Sequence, residues 1–366
     1  MIAHIFQIER HKNRENYSFN FIKFLKDNLT QDEFEKHIFY FSYHEKENLK
    51  DSFLKRLEEI SLPKDKVIHF SDHISLMKNL KNSNYENNIF HQLSSIQVFI
   101  YLFKNYKLLK KTSWMMWGGD VYHVFIDKLS FKYKVYDFIV RRFVIRNLKF
   151  IIGFKGDYDL LQSRYSSKAK YYFALYDMPS KIYTLDEYHD ERNNTTKILV
   201  AHSANSANNH EIIFQKLLPY KNKNIEIICP LSYGDMKNGA IIEKRGYELF
   251  GEKFLPLKEF MQPDEFSKLL EDIDVAVFSI DRQAAVGILT TLISLGKKVY
   301  YKKDVVPFDF YEKNEIKIFD TNELNNQGFN EFVDISTDDR IRNIQNINKV
   351  YSRKNIIKLW RNIFDS

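Results

Sequence analysis

The chain has 366 residues, 44% hydrophobic and 28% charged, which excludes disordered and collagen-like chains; at roughly 100 to 200 residues per domain it favours two domains. The formal net charge is +7, and the single cysteine, Cys229, excludes an internal disulfide and lacks the Cys/His spacing of a zinc site, so a reducing compartment is expected. No window of about 18 apolar residues could cross a membrane, and His4, Gln7, Glu9 and Arg10 interrupt the N-terminal run, so neither a spanning helix nor a signal peptide is expected.

In the first half the runs at 2–6, 37–41, 66–70, 113–117 and 150–154 read as strands, with helical spacing between several of them. Between Tyr101 and Lys155 stand twelve Lys/Arg, Arg141, Arg142 and Arg146 among them, against three Asp, a local +9 that exceeds the charge of the whole chain. Such a surface attracts a phosphate-rich partner: a nucleic acid, a lipid diphosphate or anionic headgroups, the alternative being solvated helix faces. No zinc-finger, RNP or Gly-rich basic signature supports nucleic acid. The 31 Phe, 23 Tyr and 3 Trp suit a membrane interface, unless the enrichment in Ile, Phe, Tyr, Lys and Asn reflects only a biased genome. Inside this stretch the segment 114–122 (WMMWGGDVY) ends a strand in two glycines and a carboxylate. Asp120 there is either an acid/base group facing a cleft or a turn residue, and the tryptophans, Trp117 included, stack on a sugar or pack in the core.

Residues 185–196 (LDEYHDERNNTT) are almost free of apolar side chains and read as a linker. An α/β domain is expected on each side, at 1–184 and 197–337, with a helical tail at 338–366 that packs back on the first. Beyond the linker the pattern is clearer: 197–201, 225–229, 275–279 and 298–301 read as buried parallel strands, and 209–218, 263–270 and 283–295 as the helices between them. Ligands in such a sheet bind where strands end and helices begin. Three loops qualify. HSANSANNH at 202–210 is small and polar enough for a phosphate to approach a helix N-terminus, although one of its Ser or Asn residues would serve equally as a cap. PLSYGD at 230–235 offers an aromatic to stack on a base, or is an ordinary turn. At 278–290, Arg282 precedes a helix with small first turns, and Gly287 there fits a diphosphate lying close, or tight helix-sheet packing. The D-x-D pairs at 157–159 and 272–274 lie outside the context of a metal-diphosphate clamp, so no metal is expected. P-loop, G-x-S-x-G and G-x-G-x-x-G motifs are absent.

The segments WGGDVY (117–122), HSANSANNH (202–210), LSYGD (231–235) and RQAAVGILTTLISLG (282–296), in this order, resemble the bacterial 4-acetamido-4,6-dideoxygalactose (N-acetylfucosamine) transferases, glycosyltransferase family 56. These act on a lipid-linked disaccharide in enterobacterial common antigen synthesis. The resemblance implies an α/β protein of GT-B type, two Rossmann-like domains facing across a cleft, with no required metal or other cofactor. The donor would be a dTDP-sugar held mainly by the C-terminal domain. The acceptor would be an undecaprenyl-diphosphate-linked saccharide at the cytoplasmic face of the bacterial inner membrane, an anionic surface. Residue by residue, Ser203, Asn208, Asn209 and His210 would line the diphosphate loop, Tyr233 and Asp235 the nucleotide side, and Gln283 and Gly287, beside Arg282, the diphosphate helix. Asp120 would face the reacting sugars, with Trp117, Arg141, Arg142 and Arg146 on the acceptor or membrane side. The family often has glycine where Ala204 stands and another small residue at Gly119, departures that bear on the donor sugar. A transferase of capsule or O-antigen assembly with another nucleotide sugar, or a noncatalytic nucleotide-sugar-binding protein, would carry similar loops.

Overall fold

Strands of β-branched and aromatic residues, joined through helices, build two wholly parallel sheets. The computed structural model describes residues 1–8, 14–43, 51–126, 128–177, 181–188 and 194–366. The chain divides into two units, Met1–Asp177 with Arg353–Ser366, and Met178–Ser352.

The first unit contains β1 (Ile2–Ile8), β2 (His37–Tyr43), β3 (Val67–Phe70), β4 (Asn87–His91), β5 (Thr112–Met115), β6 (Phe150–Ile152) and β7 (Lys170–Tyr172), in the order β3-β2-β1-β4-β5-β6-β7. The second contains β8 (Thr196–Val200), β9 (Ile225–Pro230), β10 (Phe254–Leu257), β11 (Val275–Phe278), β12 (Lys298–Tyr301) and β13 (Phe319–Asp320), in the order β10-β9-β8-β11-β12-β13. Each is the doubly wound arrangement, in which the chain leaves its first strand one way and returns on the other side. The switch points lie between β1 and β4 and between β8 and β11. Each unit buries its own apolar cluster: Ile5, Phe90, Val98, Trp114 and Ile151 in the first, Ile198, Val200, Phe214, Ile227 and Val277 in the second.

Four strands, β4, β7, β10 and β13, are absent from the sequence reading. The tail also differs from expectation. Helix Thr337–Val350 packs on helix Val286–Ser294 in the second unit, and the Asn343 amide bonds both the N–H and the carbonyl of Lys317, at 2.6 and 2.8 Å. The return to the first unit starts only at helix Arg353–Phe364. There Trp360 is fully buried and donates to the Leu175 carbonyl at 2.9 Å, while Arg361 grips both oxygens of Glu33 at 2.8 Å. Of the expected linker, 189–193 lie outside the described residues; Leu185–Glu187 form a 3-10 turn, and Tyr188 accepts a hydrogen bond from Arg340.

Candidate functional site

In the second unit the three loops singled out by sequence follow β8, β9 and β11, neighbours in the sheet, and they are tied together at its carboxyl edge. The Asn209 side chain donates to the Ser279 carbonyl (2.7 Å) and to Asp281 Oδ2 (2.8 Å), spanning the switch point. On the other flank the Ala204 N–H donates to the Tyr233 carbonyl (2.8 Å), and the Asn238 side chain to the Ala204 carbonyl (2.7 Å). Gly234, at φ 106°, sits where a Cβ would come within 2.9 Å of the Asn205 nitrogen, so the loops meet there only without a side chain. Ala201, Asn209 and Ala285 all take left-handed φ, 60°, 52° and 58°. For non-glycine residues this costs roughly 1–2 kcal/mol each, and such strain concentrates where function needs a backbone shape.

Two of these strained residues start helices. Asn209 precedes His210–Leu217 and Ala285 precedes Val286–Ser294; neither provides a side-chain cap. Both helix N-termini therefore present uncapped N–H groups, and with them the positive end of the dipole. Around them the polar chemistry is unfinished. His202 Nδ1, Asn208 Oδ1 and His210 Nε2 are buried with no hydrogen-bond partner among the described residues. Each such atom costs about 1–3 kcal/mol, so a polar ligand would gain by meeting them. Burial, then the Arg282 guanidinium and His210, push the His202 imidazole down to about 3, and burial brings His210 down to about 4. Both rings are neutral at pH 7, with Arg282 beside His202, and a bound anion would favour their charged forms. A cavity of about 580 Å³ opens beside this helix start, lined by Ser206, Asn209, His210, Phe214, Asn238 and Arg245 among others.

The remaining candidates of this unit fall into two groups. Ser203 is buried and its hydroxyl accepts from Asn208 Nδ2 at 2.9 Å; Tyr233 is half exposed, its ring centroid 6.2 Å from that of His202. Arg282 and Gln283 precede the helix rather than open it, in a stretch fixed by the Tyr301 hydroxyl, which donates to the Arg282 and Ala284 carbonyls at 3.2 Å; Gly287 lies in the first turn. Asp235, expected on the nucleotide side, instead caps helix Met236–Phe250, accepting from the Lys237 and Asn238 N–H groups at 3.0 and 3.3 Å.

In the first unit Asp120 does not face a cleft. It is 2% exposed, and its carboxylate accepts from the Leu93 N–H (3.0 Å), the Trp114 indole (2.7 Å) and the Trp117 N–H (2.9 Å), tying the loop after β4 to the loop after β5. Burial raises its pKa against those bonds. Arg141, expected on the acceptor or membrane side, is likewise 1% exposed and donates to the Asp120 carbonyl at 2.7 Å and to His123 at 2.8 Å. Arg142 and Arg146 remain half-buried. Trp117 is half-buried, edge-on to the exposed Tyr17 at 5.6 Å, with its indole N–H donating to the Tyr176 hydroxyl at 2.8 Å.

That hydroxyl begins a row absent from the sequence reading. It bonds His91 at 2.5 Å; His91 bonds His4 at 2.9 Å, and His4 bonds His37 at 2.8 Å, across three adjacent strands. Its only trace in the sequence is one histidine in each of three apolar runs. Burial holds His37 and His91 at about 3 and His4 well below its ordinary value.

Among the described residues no group of three or more His, Cys, Asp or Glu is placed to hold a metal ion, and no helix is long and apolar enough to cross a membrane.

The fold has known relatives. A glycosyltransferase from Rickettsia africae ESF-5 superposes with a TM-score of 0.66 at 12% identity, covering 99% of this chain and 96% of its own. Anabaena HepE in complex with UDP-glucose gives 0.66 at 9% identity, with both chains covered completely. WaaG, a glycosyltransferase of lipopolysaccharide biosynthesis, gives 0.58 at 11% identity, covering 100% of this chain and 99% of its own. The two doubly wound units are thus those of the GT-B fold. Residues 5–364 match the sequence model of the 4-alpha-L-fucosyltransferases, glycosyltransferase group 56, and the chain belongs to that family of glycosyltransferases.

Proposed function

We propose that the protein moves a 4-acetamido-4,6-dideoxygalactose-type sugar from a dTDP-sugar to a lipid-diphosphate-linked saccharide in bacterial surface polysaccharide synthesis of the enterobacterial common antigen kind. It would act as a peripheral protein on the cytoplasmic face of the inner membrane, with an undecaprenyl diphosphate carrying the acceptor. One observation carries the donor half: three buried, unpartnered polar atoms, of His202, Asn208 and His210, at two uncapped helix N-termini beside Arg282. A nucleoside diphosphate supplies anionic oxygens for the helix N–H groups, Arg282 and the imidazoles, and its hydroxyl and N–H groups can donate to Asn208 Oδ1. That HepE was solved with UDP-glucose supports a nucleotide sugar as the ligand class.

In the transfer, the acceptor hydroxyl oxygen bonds to the anomeric carbon as that carbon's bond to the diphosphate oxygen breaks. The bonding electron pair leaves with dTDP. Helix dipoles, Arg282 and the two imidazoles, which can accept protons as charge develops, would stabilise the departing group without a divalent ion. The acceptor's proton needs a base other than Asp120, whose carboxylate is spent on three N–H donors. Titration calorimetry with dTDP, UDP and GDP tests the donor. The expected result is preference for dTDP, weakened tenfold or more by Arg282→Ala. Preference for UDP moves the assignment to another nucleotide sugar, and binding of none refutes it. Turnover lost in EDTA and restored by magnesium would refute the metal-independent step.

A further inference from the structure

The helical stretch formed by Phe131–Tyr136, a π-turn Asp137–Arg141 and Arg142–Arg146 is apolar on two faces. One face, with Val144 and Ile145 buried and Tyr136 and Val140 packed against them, belongs to the core of the first unit. The other points at solvent: Phe131 is 80% exposed, Phe138 70%, Ile139 51%, Val135 43% and Phe143 38%. Their positions, four, three, one and four residues apart, form one stripe at helical spacing. A core-facing helix has no use for a second stripe of this size, and contiguous exposed apolar surface marks an interaction face.

The charges say what it meets. Over 125–146 the sequence holds six Lys/Arg against two Asp, and of these Asp137 is buried, bonded to Arg164 and Tyr165 at 2.7 and 2.6 Å. Lys128, Lys134 and Arg142 line a cavity of about 600 Å³ with Phe138, Leu129 and the Asp137–Arg164 pair, leaving the cations in excess there. The stripe runs onto the neighbouring helix Ile96–Lys104, whose Phe103 ring meets Phe143 edge-on at 5.2 Å. Aromatic side chains that enter the acyl boundary, with Lys and Arg at phosphate level, are the composition of an interfacial helix.

We propose that this face docks the protein on an anionic phospholipid bilayer, Phe131, Val135, Phe138 and Ile139 entering the interface while Lys128, Lys132, Lys134 and Arg142 meet headgroup phosphates. The proposal rests on the lipid-linked acceptor for its purpose, but its test needs neither donor nor acceptor. The full chain is sedimented with vesicles of phosphatidylcholine alone and of phosphatidylcholine with phosphatidylglycerol. Binding should appear only with the anionic lipid and fall as salt rises, by about fivefold for each cation removed. Phe131→Ser/Phe138→Ser should lose at least tenfold in partitioning while keeping its far-UV circular dichroism and its dTDP binding. In Phe131→Trp, tryptophan emission should shift to the blue on anionic vesicles. Absence of binding to anionic vesicles at low salt, or equal binding by the double variant, overturns the proposal. So does an aromatic stripe that instead drives self-association, seen as a dimer in sedimentation velocity that the double variant abolishes while vesicle binding stays nil. Loss of dTDP binding in the wild type would strike the donor assignment and leave this surface untouched.

Discussion

Acid should unfold the first unit through its histidine row. His4, His37 and His91 are neutral in the fold, and an unfolded histidine titrates near 6.5. Their folded pKa values are depressed, so the unfolded chain takes up protons first as pH falls below 6.5. The stability present above that pH is lost progressively toward about 3. For His37 and His91, both at about 3, linkage gives a loss of about 2 kcal/mol each between pH 7 and pH 5, about 4 kcal/mol together, and His4 adds in the same direction. Asp157 works against this. Burial raises its carboxyl to about 7, so the folded state gains a proton over the same interval and recovers about 2 kcal/mol. In Asp157→Asn, which retains an oxygen for the Tyr122 hydroxyl that donates to Asp157 at 2.7 Å, that recovery is removed and the loss should grow by about 2 kcal/mol, while Asp120 and Asp177, also raised by burial, oppose it equally in both proteins. Trp114, Trp117 and Trp360, the chain's three tryptophans, all lie in the first unit, so urea unfolding followed by tryptophan fluorescence reads that unit alone. A loss between pH 7 and pH 5 that is not at least about 1 kcal/mol larger in this variant than in the wild type would refute the reasoning.

Two glycines in the second unit should separate site from scaffold. Gly234→Ala strains a φ of 106° and drives Cβ into the Asn205 backbone; Gly246→Ala places a Cβ 2.5 Å from the Phe254 ring. Both should lower stability by about 1–3 kcal/mol in thermal melts, but only Gly234→Ala should weaken dTDP binding by the folded protein. Asp120→Asn turns an N–H₂ group toward either the Trp117 N–H or the Leu93 and Trp114 N–H groups and should destabilise the first unit by about 1–3 kcal/mol; unchanged stability with turnover abolished would instead restore a direct chemical role. Because an anion favours the charged imidazole, dTDP binding should take up protons at His202 and His210, more at pH 6 than at pH 8. Calorimetry in buffers of different ionisation enthalpy measures this, and no uptake at pH 6 would contradict the placement.

What could be read from the sequence follows from where each signal sits. The strands of the second unit are continuous apolar runs because parallel strands are buried on both faces. β4 is buried along its whole length too, yet it reads Asn-Asn-Ile-Phe-His. Its polar groups find distant partners: Asn87 accepts from Ser113 at 2.6 Å, and His91 bonds His4, and no local pattern announces a partner on another strand. β10 carries Pro256, which the sheet tolerates because the strand lies at the edge. The loops at the carboxyl edge of the second unit show as runs of small and polar residues after strands. Within them, the split between Asp235 as a cap and His210 as an unfinished partner is a matter of which backbone N–H each meets. Asp120 misleads for the same reason: Gly-Gly-Asp after a strand is what a catalytic carboxylate looks like, and the Leu93 N–H that engages it comes from another strand's loop.

The two units share one topology, and among the described residues both carry strain and unmet polar atoms at the carboxyl edge: Gln92 at φ 78° and Gln7 Nε2 in the first, and more of each, beside Arg282, in the second. In the first unit the loops after β4 and β5 are closed by Asp120, whose acceptors are all taken up within the protein. In the second, the loops after β8 and β11 are held apart from regular capping by Asn209 and Ala285 in left-handed conformations, and three buried polar atoms are left over. Strain and unmet hydrogen bonds both lower stability, and a bound group that meets them would recover part of that cost. An anion offsets most of them at once, accepting from helix N–H groups, pairing with Arg282 and turning the imidazoles into donors, while Asn208 Oδ1, an acceptor, needs a donor such as a hydroxyl on the same ligand. The sites differ in what the carboxylate does. Asp281, a carboxylate at the second edge, accepts from Asn209 at 2.8 Å and pairs with Lys302 at 2.5 Å, which offsets its charge.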